Sequence, residues 1–272
     1  MEKQQTIITP PSAFFLGWRE LWQYRELFYF FTWRDIKVKY KQTYLGIAWV
    51  LIQPLALMLL FTFIFRNLGV HTLQMQYETF ALSGLILWNL FQGSVSNASD
   101  SVVQHANVIK KIYFPRLIIP CSAILVALFD FIIAFFIFLV ICLVLQQPFE
   151  WNAVLFFPAA ICLTLMAAFG LSTLLAALNA KFRDFRYLLP FLLQFLFFAS
   201  QIVYALSNIK QAWMSHLLAL NPLNGAIEML RFPFTGQINT SVVLIGLAST
   251  MFFTFTGLYS FRKTEAYFAD II

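Results

Sequence analysis

Long apolar runs alternate with short polar connections along the chain. The runs cover roughly Gly46 to Phe65, Phe80 to Val95, Leu117 to Leu145, Ala153 to Leu178, Tyr187 to Leu206 and Ser241 to Phe261. A helix rises about 1.5 Å per residue, so about 20 apolar residues cross a hydrocarbon layer of about 30 Å. Five of the six runs meet that length, and the second meets it if its Ser/Asn-rich end reaches the headgroups. The pattern predicts an all-α integral membrane protein with six transmembrane helices and both termini on one side.

Between the fifth and sixth runs, Ser207 to Thr240 forms the longest connection. Its short apolar stretches, His216 to Leu220 and Ala226 to Leu230, flank Asn221, Pro222, Asn224 and Gly225. Each is too short to cross, which predicts outer re-entrant half-helices joined by a turn. Glu228 and Arg231, three apart, are placed to pair on one helical face.

Ahead of the first run, Trp18 to Ile36 predicts an amphipathic helix lying on the membrane. Trp18, Leu21, Trp22, Phe28, Tyr29, Trp33 and Ile36 share one arc, and Arg19, Gln23, Glu26 and Arg34 share the opposite one. Leu27, Phe30 and Arg25 break the pattern. Such a helix serves either as an interfacial anchor or as a docking surface for a cytoplasmic partner. The chain reads as one membrane domain over 1–272: interface helix and basic lead-in at 14–43, spans at 44–261 and a short tail at 262–272.

Charge orients the spans, because cationic loops near membrane ends stay in the cytoplasm. With the N-terminus inside, 15 of the 18 Lys and Arg residues fall on inner segments; only Arg66, Lys210 and Arg231 fall outside. Both termini are therefore expected in the cytoplasm. The formal charge of +6 is accounted for by these loops, so no nucleic-acid partner is expected.

Few residues offer chemistry. Cys121, Cys142 and Cys162 lie within apolar runs, and no CxxC pair or clustered His suggests a metal site or disulfide framework. No N-terminal cleavable signal is evident. The absence of GxxxxGK[ST], HExxH and GxSxG motifs removes a P-loop nucleotide site and disfavours an intramembrane hydrolase. Asp130 stands nearly alone inside a span, where a carboxylate must face protein or water or be protonated. Helix-to-helix hydrogen bonding and proton relay are both open to it. Inside the first run, Gln53 and Pro54 interrupt apolar sequence, and the second run ends in a polar cluster from Ser94 to Asn107. Phe191, Phe195, Phe198 and Ile202 lie on one helical face, suited to packing, lipid contact or lining a passage.

Four stretches then carry a resemblance. Trp33-Arg34-Asp35-Ile36-Lys37-Val38-Lys39-Tyr40-Lys41-Gln42-Thr43, running into Leu45-Gly46 and Gln53-Pro54, resembles the approach to the first span of ABC-type polysaccharide export permeases. These membrane subunits export lipid-linked O antigen, capsule or teichoic acid. Ile109 to Arg116, Phe182 to Tyr187 and Asn221-Pro222-Leu223 are similar to further family segments, in the same order.

The resemblance implies a homodimer in the bacterial cytoplasmic (inner) membrane, seated on a separate ATPase subunit that holds ATP and Mg, with no cofactor and no catalytic residue in this chain. The cargo would be an undecaprenyl-linked polysaccharide. It implies an ATPase-coupling segment comprising Asn107, Val108, Lys110, Lys111, Tyr113, Phe114, Pro115 and Arg116. An interface helix carrying Trp18, Arg19, Trp22, Glu26, Trp33 and Arg34 would touch the ATPase, and Trp49, Gln53, Phe191, Phe195 and Phe198 would line the channel. Aromatic side chains, 18% of the chain, offer flat contacts over which sugar rings can slide, although membrane-interface belts use the same residues. Two alternatives stand beside this reading: an ABC exporter permease for drugs or small lipids, and a membrane enzyme using Asp130 or Glu228 as acid or base on lipid-linked sugars.

Overall fold

A computed structural model describes residues 18–41, 43–67, 75–182, 184–209 and 211–268. The sequence expectations for Lys3, residues 14–17, Gln42, Arg183, Lys210 and residues 269–272, and for the side chains of Trp18, Arg19 and Arg66, lie outside the described residues. In chain order the helices are α1 (Trp18–Gln23), α2 (Arg25–Lys41), α3 (Ala48–Asn67), α4 (Tyr77–Gln104), α5 (Ala106–Ile109), α6 (Ile118–Val144), α7 (Ala153–Lys181), α8 (Phe185–Phe198), α9 (Ala212–Ala219), α10 (Pro222–Thr235) and α11 (Thr240–Glu265). Helix is what lipid demands of an open chain, since it satisfies backbone polar groups within the segment.

Among the described residues, α3, α6, α7 and α11 are long and apolar enough to cross a membrane. α4 is long as well, at 28 residues, but its second half is polar. The fifth apolar run behaves differently from expectation. α8 stops after 14 residues, about 21 Å of helix, and the chain from Ala199 to Ala205 turns instead of continuing helically to Leu206. The reason is a set of side-chain bonds to the α8 terminus. Asn224 Nδ2 donates to the Ala199 carbonyl at 3.0 Å, and Asn221 Nδ2 donates to the Leu196 carbonyl at 3.1 Å and to Ser200 Oγ at 2.8 Å. These amides satisfy groups that another helical turn would have used.

α4 is the central element. Phe80, Leu85, Phe91 and Val95 are fully buried, and the helix packs against α6, α7 and α10. α7 and α11 form the most intimate pair. A Cβ on Gly170 would sit 2.5 Å from the Thr254 backbone nitrogen, so only glycine lets these helices approach so closely. Large apolar side chains such as Leu59, Phe63, Phe136, Leu155 and Phe252 point outward, the surface expected where the solvent is hydrocarbon.

The connection between α8 and α11 forms two short helices, α9 and α10. Asn221 caps α10, its Oδ1 accepting from the Leu223 amide at 3.2 Å, with Pro222 in the first turn, and Gly236 ends the helix in the left-handed conformation at φ 62°.

Candidate functional site

The basic, aromatic segment after α4 divides into two sides. Asn107, Lys110, Lys111 and Tyr113 are exposed, whereas Phe114 and Pro115 are buried and Val108 and Arg116 half-buried. Phe114 packs in a cluster with Phe31, Ile109, Leu117 and Phe261, its ring 5.9 Å from that of Phe31. Phe114 thus joins the segment to α2 within this chain, and the outward aromatic is Tyr113. The Arg116 amide donates to Glu265 Oε1 at 3.0 Å, and Glu265 Oε2 accepts from the buried Arg262 at 2.8 Å. The segment is thereby fixed to the end of α11.

α2, with the preceding α1, has two aromatic faces. Phe31 is its buried residue, flanked by Tyr24, Leu27 and Phe28, while Trp22, Tyr29 and Trp33 point outward and Glu26 is exposed. The expected apolar arc is therefore split: Trp22, Tyr29 and Trp33 face outward, whereas Leu21 and Phe28 pack on the cluster around Phe31 and Phe114. Tyr29 stacks on Trp33 at 6.4 Å, with Arg25 over Trp22 and Lys37 over Trp33. Such cation-backed aromatics suit the headgroup layer. Arg34 bonds Asp35 at 2.8 Å and reaches His105 at the end of α4.

Asp130 is not isolated. Lys39 and Tyr40, at the end of α2, both donate to its carboxylate. Burial, then the bond to Asp130, raise the Tyr40 phenol above its usual range, so it remains a donor. These groups edge a cavity of about 390 Å³ whose walls include Trp49, Gln53, Asn89, Gln92 and Asn97. A second cavity of about 420 Å³ lies between α3, α4 and α8, lined by Phe61, Trp88, Gln194, Phe197 and Phe198. Gln92 and Ser96 belong to both. Of the sequence candidates for a passage, Trp49 and Gln53 line the first cavity and Phe198 the second; Phe191 and Phe195 project from the exposed face of α8, aligned with Tyr187.

Glu228 and Arg231 do not bond each other as their spacing invites. Glu228 Oε2 accepts from Gln201 at 3.0 Å, and its Oε1 accepts from the Asn239 amide. Arg231 is buried and donates to the carbonyls of Phe80 at 2.9 Å and Ile202 at 3.2 Å and to Ser83 Oγ, its guanidinium 3.5 Å above the Phe80 ring. The bent segment after α8 offers free carbonyls, and those attract the cation. Sequence reasoning missed this clamp, because Phe80, Ser83 and Ile202 carry no signal of proximity to Arg231. It also missed Asp100, which accepts from Asn179 of α7 at 3.2 Å and faces Arg186 at 3.6 Å, tying the first turn of α8 to α4.

Residues 26–235 match the family model described as ABC-2 type transporter. The chain belongs to that family and is a multi-pass membrane protein. It is 29% identical over 246 residues to the O-antigen export system permease protein RfbA of Myxococcus xanthus, covering 86% of this chain and 94% of that protein. Identity to the O-antigen export system permease protein RfbA of Klebsiella pneumoniae is 29% over 240 residues, 88% and 92% of the two chains. The polysialic acid transport protein KpsM of Escherichia coli is 27% identical over 239 residues, 85% and 91%.

Proposed function

We propose that this chain is the membrane subunit of an ABC exporter that carries a lipid-linked polysaccharide of O-antigen type from the cytoplasm to the outer face of a bacterial inner membrane. The observation that carries the reading is near-complete collinear similarity to permeases named for O-antigen export and polysialic acid transport. Its energy comes from a separate ATPase subunit that holds ATP and Mg; this chain has no phosphate cradle. Two copies of the chain face each other around the passage, and α3 and α8 of each line it. The subunit crosses six times, with α4 and α8 as the second and fifth crossings, α9 and α10 as an outer re-entrant pair, and both termini in the cytoplasm.

In this orientation Lys110, Lys111 and Tyr113, with the outer face of α2, form the surface on which the ATPase acts. Phe114, by packing on Phe31, makes the coupling segment and the interface helix move together. Asp130 and Glu228 are held in internal contacts, which favours structural roles over acid–base catalysis.

Deletion and co-expression test the proposal. Removing the gene should abolish surface polysaccharide while lipid-linked chains accumulate inside, and the purified subunit should hydrolyse ATP only when assembled with its ATPase. Persistent surface polysaccharide after deletion would exclude the reading.

A further inference from the structure

Between Phe80 and Ser99, α4 is buried except at Asn89, Gln92, Gly93, Ser96 and Asn97. These positions are spaced three, one, three and one apart, a single helical face, and they line the two cavities. Gln53 of α3 and Gln194 of α8 face the same spaces. Among the described residues, the side chains of Gln53, Asn89, Gln92, Ser96, Asn97 and Gln194 have no hydrogen-bond partner within the chain.

The contrast with other polar side chains in the bundle is sharp. Ser99 and Ser101 bond helix carbonyls, Asn179 bonds Ser99, and Gln201, Asn221 and Asn224 bond the backbone around the α8 terminus. Most polar groups that serve the fold are thus already paired, although Thr62 Oγ1 and Ser94 Oγ are buried without a partner. An amide left unpaired in hydrocarbon is costly, so a row of them requires polar contents in the cavities.

Aromatic faces lie beside the amides: Trp49 in the first cavity, and Trp88, Phe197 and Phe198 in the second. Amides that both donate and accept, next to flat apolar surface, match a hydroxyl-rich ring with C–H faces. The charges at the first cavity, Lys39 and Asp130, are paired with each other at its edge, and the row itself is made of neutral amides and a hydroxyl.

We propose that the Asn89–Gln92–Ser96–Asn97 face of α4, completed by Gln53 and Gln194, is the hydrogen-bonding track for the hydroxyl groups of the moving glycan. This rests on the export reading above. The track gives α4 a direct part in the passage, in addition to α3 and α8.

The test uses the full permease assembled with its ATPase in the native strain. Asn89→Leu and Gln92→Leu keep side-chain bulk but remove the polar groups. Surface polysaccharide per folded permease should fall about tenfold in the double variant, while Asn89→Gln with Gln92→Asn should restore most of it. Equal export by the leucine variant would overturn the track, as would loss of self-association in place of a transport defect, since the amides would then be subunit contacts. Cysteines at 89, 92 and 97, in a background with Cys121, Cys142 and Cys162 replaced by Ala, provide a second measurement. A charged thiosulfonate should modify all three in the assembled complex and spare Val95→Cys; failure to modify them would also overturn the proposal. If gene deletion itself leaves surface polysaccharide intact, the export reading falls. If deletion removes it and the leucine variant exports normally, only the track falls.

Discussion

Lys39 and Asp130, 91 residues apart in the chain, form an ion pair that fastens the end of α2 to the middle of α6. The carboxylate that sequence isolates in an apolar span is therefore served by both a cation and the Tyr40 hydroxyl. α2 is thereby packed against α6 within the chain.

The pair should matter modestly for stability. About 42% of the Lys39 side chain is exposed, so solvent screens the attraction. A double-mutant cycle with Lys39→Ala and Asp130→Ala should give a coupling of about 1 kcal/mol or less in detergent melting. Asp130→Asn should keep substantial export, whereas an acid–base role for Asp130 would require near-complete loss.

Phe114 and Tyr113 are adjacent in sequence but should fail differently. Phe114 is 3% exposed in the cluster with Phe31 and Phe261, so Phe114→Ala should cost about 3–5 kcal/mol and reduce the amount of folded protein. Tyr113→Ala should leave that amount close to wild type and lower export per ATP hydrolysed in the reconstituted complex.

Arg231 clamps α10 to the start of α4 and to the bent segment after α8. Arg231→Met removes a charged donor from the carbonyls of Phe80 and Ile202 and should destabilise the subunit by about 3 kcal/mol, read as a lower melting temperature. Arg231→Lys should recover part of that, since an ammonium lacks the planar fork.

Close approach of α7 and α11 depends on Gly170. Gly170→Val would drive side-chain atoms into the Phe253–Thr254 backbone, and folded yield in membranes should fall severely. Ala at Gly93 of α4, where a Cβ meets Ala127 of α6 at an ordinary 3.6 Å, should be tolerated.

Orientation is open to direct mapping. A cysteine at Lys110 should react with impermeant thiol reagents only from the cytoplasmic side, and one at Trp213 only from the outside. Labelling of both from the same side would contradict an odd number of crossings between them.

Much of the architecture was legible in hydropathy alone, because lipid punishes unpaired backbone and leaves long apolar helices as the only economical answer. The boundaries of α3, α6, α7 and α11 lie within a few residues of the runs that announced them. The fifth run was overextended. Val203 and Leu206 look like helix by composition, and only the amides of Asn221 and Asn224, more than 20 residues downstream, show why α8 stops.

Pairings lay beyond reach for a related reason. Hydropathy records what a residue avoids, not which partner it meets. Asp130 could be recognised as needing a counterpart, yet Lys39 sat in a segment whose many cations looked equally suited to headgroups. Glu228 and Arg231 seemed matched by spacing and were drawn apart by carbonyls and amides from other helices. Phe114 carried the same chemistry as Tyr113 until packing put one inside and the other outside.

Composition and periodicity thus specified a helical membrane protein, its orientation as an expectation, and four local segments that pointed to the family, since each follows from solvent preference or short-range pattern. Tertiary contact decided which side of α2 is buried, where α8 ends, what Asp130 and Arg231 hold, and which face of α4 stays polar and unpaired. Those outcomes depend on distances between residues far apart in the chain, and a linear pattern does not encode them.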